Sequence, residues 1–85
     1  MVLEKTHKLI LFNDDENDYL LVIACLMRFC DHASDQAEQC AFIAHNTGKC
    51  QIYSGQFIDM LEVCTSLKAI GLKVEIEEYV KSDMH

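Results

Sequence analysis

The sequence has no proline, no tryptophan and only three glycines among its 85 residues. Proline and glycine are the residues that most often interrupt helices and strands, so there are few places at which an element must end. The chain also lacks an internal repeat and any stretch with the composition of a linker. We therefore predict a single domain over residues 1–85, with a folded core at about residues 7–79.

Basic residues are scarce as well: there are 7 lysines and arginines against 14 aspartates and glutamates, and the net charge is −7. Nucleic acids and anionic membranes both attract basic surfaces, so neither is an expected partner. The longest apolar run, residues 19–27, is far shorter than the roughly 20 residues that cross a bilayer. The first residues show no signal-peptide pattern. We expect a cytoplasmic protein that does not associate with membranes.

The five cysteines are an odd number in a sequence without a sign of export. This favours reduced thiols that behave as small buried hydrophobic residues. Because most of them fall on the apolar faces of predicted helices, we expect no metal and no other cofactor. The alternative interpretation is a metal-binding or redox-sensing regulatory domain that uses Cys40, His45 and Cys50, together with Cys30 or His32.

The most polar stretch is FNDDEND at residues 12–18, which carries four carboxylates and two amides. It follows a short apolar run and precedes a long one, as a loop between a strand and a helix does. Carboxylates and amides accept many hydrogen bonds, and carboxylates attract cations. The stretch therefore predicts a loop that holds a positively charged group of a partner.

Hydrophobic spacing predicts six elements joined by short loops. We expect Asn17 or Asp18 to cap the first helix and Ser34 to cap the second, since these are preferred capping residues. The third helix is expected to begin at Ser54 or Gly55. The predicted elements are a strand at residues 8–12, helices at 19–30 and 34–46, a strand at 49–54, a third helix that ends at Gly71, and a strand at 72–77.

The apolar patterns also predict which faces are buried and how the elements assemble. Gly48 and Gly71 are expected to end helices, because glycine adopts the left-handed conformation found there. An α+β fold in the order β-α-α-β-α-β, with three helices on one face of a three-stranded, mainly antiparallel sheet, satisfies these patterns most simply. Residues after Tyr79 are expected to form a solvated tail. The core stripe predicted for the third helix is Phe57, Met60, Leu61, Cys64 and Leu67.

Two motifs occur in a characteristic order. NDD at residues 13–15 follows the first strand, and the second helix ends in AHNTGK at residues 44–49. This combination resembles the ClpS family of adaptors, which deliver N-degron substrates to the Clp protease, and the similarity runs from about His7 to Glu78. The resemblance implies an adaptor rather than an enzyme. Its implied partners are polypeptides that begin with Phe, Leu, Tyr or Trp, and a Clp AAA+ ATPase of the ClpA or ClpC type.

The resemblance also implies roles for particular residues. Asn13, Asp14 and His45 would hold the free α-amino group of the substrate, because an amide oxygen, a carboxylate and a neutral imidazole supply three acceptors for an ammonium group. Asp15 would be a possible further contact in the loop. The side chain of the first substrate residue would enter a hydrophobic pocket formed by Asn17, Tyr19, Val22, Ala41, Ala44 and Leu72.

The chain departs from the common family pattern in three places. Ala41 stands where many ClpS proteins have a methionine that narrows the pocket, so we expect wider acceptance that includes β-branched first residues. The usual Gly-x-Phe-Thr-x-Glu segment before the third helix is replaced by YSGQF at residues 53–57, so the surface for the ATPase should differ in part. About seven residues precede the first strand, where family members usually carry a longer extension used in substrate delivery.

Overall fold

Three strands and three helices follow one another in the predicted order in a computed structural model, which describes residues 5–79. The predicted tail after Tyr79 lies outside the described residues. Within residues 5–79, no helix combines the length and the apolar character needed to cross a bilayer. The elements are β1 at His7–Phe12, α1 at Tyr19–Phe29, α2 at Ser34–Thr47, β2 at Lys49–Gly55, α3 at Phe57–Ile70 and β3 at Val74–Glu78.

Strand β1 lies in the centre of the sheet, between β2 and β3. The sheet was predicted to be mainly antiparallel, and both of these pairings are antiparallel. Leu9, Ile10 and Leu11 of this strand are all buried, and Leu9 and Leu11 share the face that contributes to the core cluster. The first strand of the sequence therefore supports the whole sheet.

One residue of β2 is left without a partner in β1. Leu9 pairs with Tyr53 and Ile10 with Gln51, so Ile52 is the extra residue of a β-bulge. The Nε2 atom of the buried His32 lies 2.7 Å from the carbonyl oxygen of Ile52. Because a carbonyl only accepts, Nε2 carries the proton and donates. This bond ties the loop between α1 and α2 to β2.

The three helices pack on one face of the sheet and enclose the core, which confirms the predicted fold class. The cluster of buried residues receives contributions from every helix and strand. Phe57 and Leu61 depart from the predicted stripe of α3, since they are 48% and 42% exposed. The largest side chains that are fully buried are Leu9, Leu26, Met60, Leu67 and Val74.

The ends of α1 and α2 confirm two of the three predictions about capping. The Asp18 side chain accepts a hydrogen bond from the backbone N–H of Leu20, as expected of an N-cap residue. Gly48 ends α2 in the left-handed conformation, with φ of 102°. The prediction that Ser34 caps α2 was wrong. Ser34 is already the first helical residue, and Ala33 occupies the N-cap position without a side-chain hydrogen bond.

The boundaries of α3 and β3 also differ from the predictions. β2 continues to Gly55, because Ser54 and Gly55 pair with Lys8 and His7, and α3 therefore begins only at Phe57. Gly71 ends α3 as predicted, with φ of 111°. The backbone N–H of Leu72 then donates to the carbonyl of Leu67, so Leu72 belongs to the helix end and not to the strand.

Two leucines of α1 provide a matched test of this packing. Leu26 is fully buried, whereas Leu20 is 70% exposed. We expect Leu26→Ala to lower the free energy of unfolding by about 2–5 kcal/mol, because it leaves a cavity in the core. Leu20→Ala should change it by less than about 0.5 kcal/mol. Urea unfolding followed by circular dichroism measures both; equal losses would contradict the packing of α1.

Candidate functional site

The acidic loop between β1 and α1 is fastened to the ends of two other elements. The backbone N–H of Asn13 donates to the carbonyl of Gly48, at the end of α2, over 2.9 Å. The N–H of Phe12 donates to the carbonyl of Lys73, just before β3, over the same distance. The loop therefore begins in a fixed position beside the C-terminus of α2.

Hydrogen bonds within the loop orient the carboxylate of Asp14. The backbone N–H of Glu16 donates to Oδ1 of Asp14 over 2.8 Å, and the Asn17 side-chain amide donates to Oδ2. The same Asn17 amide donates to the carbonyl of Gly71 over 2.9 Å. Asn17 thus connects the loop to the end of α3.

These contacts also favour the ionised form of Asp14. The hydrogen bond from the Glu16 N–H lowers the pKa of Asp14 most, and the bond from the Asn17 amide lowers it further. The positive charge of Lys73 acts in the same direction, whereas partial burial opposes it. Asp14 is therefore a carboxylate at neutral pH, with its orientation set by the loop.

A cavity of about 490 Å³ opens between this loop, the start of α1 and the second half of α2. Every residue to which the resemblance gave a role in amine binding, in the hydrophobic pocket or in loop contact lines it, with the exception of Leu72. The lining residues are Leu11, Phe12, Asn13, Asp14, Asp15, Asn17, Tyr19, Val22, Ala41, Phe42, Ala44 and His45.

Hydrogen-bond acceptors lie on the polar side of the cavity. His45 lies in the last turn of α2, and Asn13 and Asp14 lie on the loop that is bonded to the end of that helix. The C-terminus of a helix carries a partial negative charge, which favours a cation beside it. A carboxylate, an amide oxygen and a neutral imidazole can each accept one hydrogen bond from an ammonium group. This side of the cavity is therefore suited to a primary amine.

The apolar side owes its space to small residues on α2. Ala41 and Ala44 are each only 3% exposed and line the cavity together with Val22 of α1. Tyr19 spans the two helices: its hydroxyl donates to the carbonyl of Glu38 over 3.3 Å. Its ring meets that of His45 edge to face, with 6.4 Å between the ring centroids. Tyr19 is thus held as one wall of the cavity.

Leu72, which was predicted in the same pocket, lies outside this lining. It is 3% exposed and belongs to the core cluster. The reason is the turn at Gly71, after which the backbone of Leu72 is bonded to the last turns of α3. The surface that Leu72 reaches is a separate shallow cavity beside Lys68 and Lys73.

Sequence reasoning missed three residues of the lining: Leu11, Phe12 and Phe42. Leu11 and Phe12 end the strand that leads into the loop, so their place follows from chain continuity. Phe42 lies three residues before His45 on α2, and residues at this spacing share a helix face. That spacing was a usable signal for Phe42.

None of the thiols named in the alternative interpretation lines this cavity. Cys40 and Cys50 are partly buried against the core, and all five cysteines are free. Burial raises the pKa of Cys50 to about 11, and the adjacent Cys40 thiol contributes to that shift. Burial likewise raises the pKa of Cys30 to about 12. Among residues 5–79, no three histidine, cysteine, aspartate or glutamate side chains are grouped so that they could hold a metal ion.

Comparison with known proteins agrees with this architecture. The fold is similar to that of Agrobacterium tumefaciens ClpS2, whose structure was solved with L-phenylalaninamide bound. The TM-score is 0.75 at 21% sequence identity, and the match covers 88% of this chain and 98% of that protein. No protein of curated function matches the sequence. The model of the family described as "ATP-dependent Clp protease adaptor protein ClpS" matches residues 3–75. The chain therefore belongs to the ClpS family of Clp protease adaptors.

Proposed function

We propose that this protein binds the free α-amino group and the large hydrophobic first side chain of N-degron substrates. It then delivers them to a Clp AAA+ ATPase of the ClpA or ClpC type for degradation. The observation that carries the proposal is a single cavity that combines Asn13, Asp14 and His45 with an apolar wall. The ligand of the similar A. tumefaciens protein, L-phenylalaninamide, has both features that this cavity would bind, a free α-amino group and a benzyl side chain.

Binding of the amine would use its charge and its three N–H donors. Hydrogen bonds to charged groups contribute about 1.5–3 kcal/mol each, so removal of one acceptor should be measurable. Asp14 would supply the countercharge, because its lowered pKa keeps it ionised. Asn13 and His45 would complete the set of acceptors, and Asp15 is the further loop residue at the cavity.

Binding of the first side chain would use the apolar wall. Burial of a Phe or Leu side chain is favourable by about 1.5–3 kcal/mol, which accounts for a preference for Phe, Leu, Tyr or Trp. Ala41 removes bulk where many family members have methionine, so this chain should also accept β-branched first residues. Membership of an adaptor family supports delivery to the ATPase, which is a separate step from recognition.

The direct test compares free and acetylated peptides that begin with Phe. Acetylation removes both the positive charge and donors of the α-amino group, so we expect it to abolish detectable binding. Fluorescence anisotropy with a C-terminally labelled peptide measures this, and a peptide that begins with Ser controls for the side chain. Equal affinity for the free and acetylated peptides would refute the proposed function.

Asp14 can be tested against a carboxylate in the same loop. Asp14→Asn keeps the size of the side chain but removes its charge and its bond from Asn17, and we expect affinity to fall at least about tenfold. Glu16→Gln removes one charge from the loop without altering the lining of the cavity, and should change affinity less than about twofold. Similar losses in both variants would mean that the loop acts only through its total charge.

A substitution separates His45 from Asp14. His45→Ala removes one of the three proposed acceptors and leaves the Asp14 carboxylate in place, so we expect affinity for a Phe-initiated peptide to fall at least about tenfold. His45 is exposed, so the variant should keep the fold, which circular dichroism checks. Unchanged affinity in His45→Ala would exclude His45 as an acceptor.

A further inference from the structure

Phe42 is a large aromatic residue at the mouth of the cavity. It lines the same cavity as its neighbour Ala41, but Phe42 is 60% exposed whereas Ala41 is 3% exposed. Because its phenyl ring is exposed, Phe42 contributes little to the core. Its role therefore depends on which part of a bound substrate would lie beside it.

The amine-binding residues limit where the second residue of a substrate can lie. If Asn13, Asp14 and His45 hold the amine and the first side chain enters the apolar side, the chain must leave through the open mouth. Consecutive Cα atoms are about 3.8 Å apart. Phe42 lies one helical turn from His45, and side chains at that spacing begin about 5–6 Å apart. The second side chain therefore passes within reach of the Phe42 ring.

The carboxylates of the cavity lining are those of Asp14 and Asp15. Glu38 lies four residues before Phe42, on the same face of α2, and is exposed. Its backbone carbonyl accepts the Tyr19 hydroxyl, which places this turn of the helix at the cavity wall. Asp14 and Asp15 line the cavity, and no lysine or arginine is found in its lining among the described residues. An exposed ring at a cavity lined by carboxylates, with a glutamate one helical turn away, suits a planar cation such as guanidinium, which stacks on aromatic faces.

We propose that Phe42 and Glu38 form a subsite for the side chain of the second substrate residue and that this subsite favours arginine. The inference rests on the proposed function, because it takes the position of the amine from it. It assigns to this chain a preference at the second position that is independent of the pocket for the first residue.

The experiment uses three peptides that begin with Phe and differ only at the second residue, which is Arg, Gly or Glu. For the wild-type protein we expect the affinity to decrease in that order, with Arg favoured over Gly roughly three- to tenfold. Glycine has no side chain to reach the subsite, so the Phe-Gly peptide reports on the first residue alone.

Phe42→Ala should weaken binding of the Phe-Arg peptide roughly two- to fivefold more than binding of the Phe-Gly peptide. Phe42→Leu, which keeps apolar bulk without an aromatic face, should lose most of the preference for Arg over Gly. Glu38→Gln should reduce the preference for Arg over Glu. Ile43→Ala is the matched control, since Ile43 is the next residue on α2 and does not line the cavity. This variant should bind all three peptides with the wild-type affinity.

Two outcomes would overturn the subsite. One is a wild-type protein that binds the Arg and Gly peptides equally. The other is an equal loss for both peptides in Phe42→Ala, which would mean that Phe42 contacts the first residue. Acetylated Phe-Arg peptide separates this failure from failure of the proposed function: acetylation still abolishes binding if only the subsite is wrong, and leaves it intact if amine recognition is wrong.

Discussion

The side chain of Asn17 makes the interaction on which the candidate site depends. Its amide donates both to Asp14 and to the carbonyl of Gly71, so one residue orients the charged acceptor and anchors the loop to the end of α3. The second anchor is the bond from the Asn13 N–H to the carbonyl of Gly48. Both acceptor carbonyls belong to glycines with positive φ, a conformation in which other residues are strained. The position of the acidic loop is therefore set by two helix ends that are far apart in sequence from it and from each other.

Local chemistry was sufficient to predict much of the fold. The order of elements, the cap at Asp18 and the helix ends at Gly48 and Gly71 each follow from a few neighbouring residues. Two boundary predictions failed because a distant contact overrides local preference. Gly55 would suit a helix start, but pairing with His7 keeps it in β2. Leu72 fits the alternation of the last strand, but its backbone is bonded to the end of α3.

The candidate site was less predictable from the residues alone. Asp14 and His45 are separated by the whole of α1 and most of α2, and nothing in composition or periodicity brings them together. Their pairing came from the resemblance to the ClpS family, and the structure places both in the lining of one cavity. Phe42 was missed because an exposed aromatic residue on a helix has no distinctive local pattern. Its spacing of three residues from His45 does place the two side chains on one face of α2. The roles of these residues stay predictions until binding is measured.

The hydrogen bonds of Asp14 raise the question whether the loop uses up the acceptor that a ligand would need. A carboxylate has about four lone-pair sites, and the bonds from Glu16 and Asn17 occupy one on each oxygen. Two directions stay open, and the two internal bonds lower the pKa, so the charge persists while the orientation is fixed. A ligand then meets an acceptor that does not have to reorganise, which limits the entropy lost on binding. Asn17 therefore positions the Asp14 carboxylate, the charged acceptor in the proposed function, and also lines the cavity, so the geometry of the loop is set before a ligand binds.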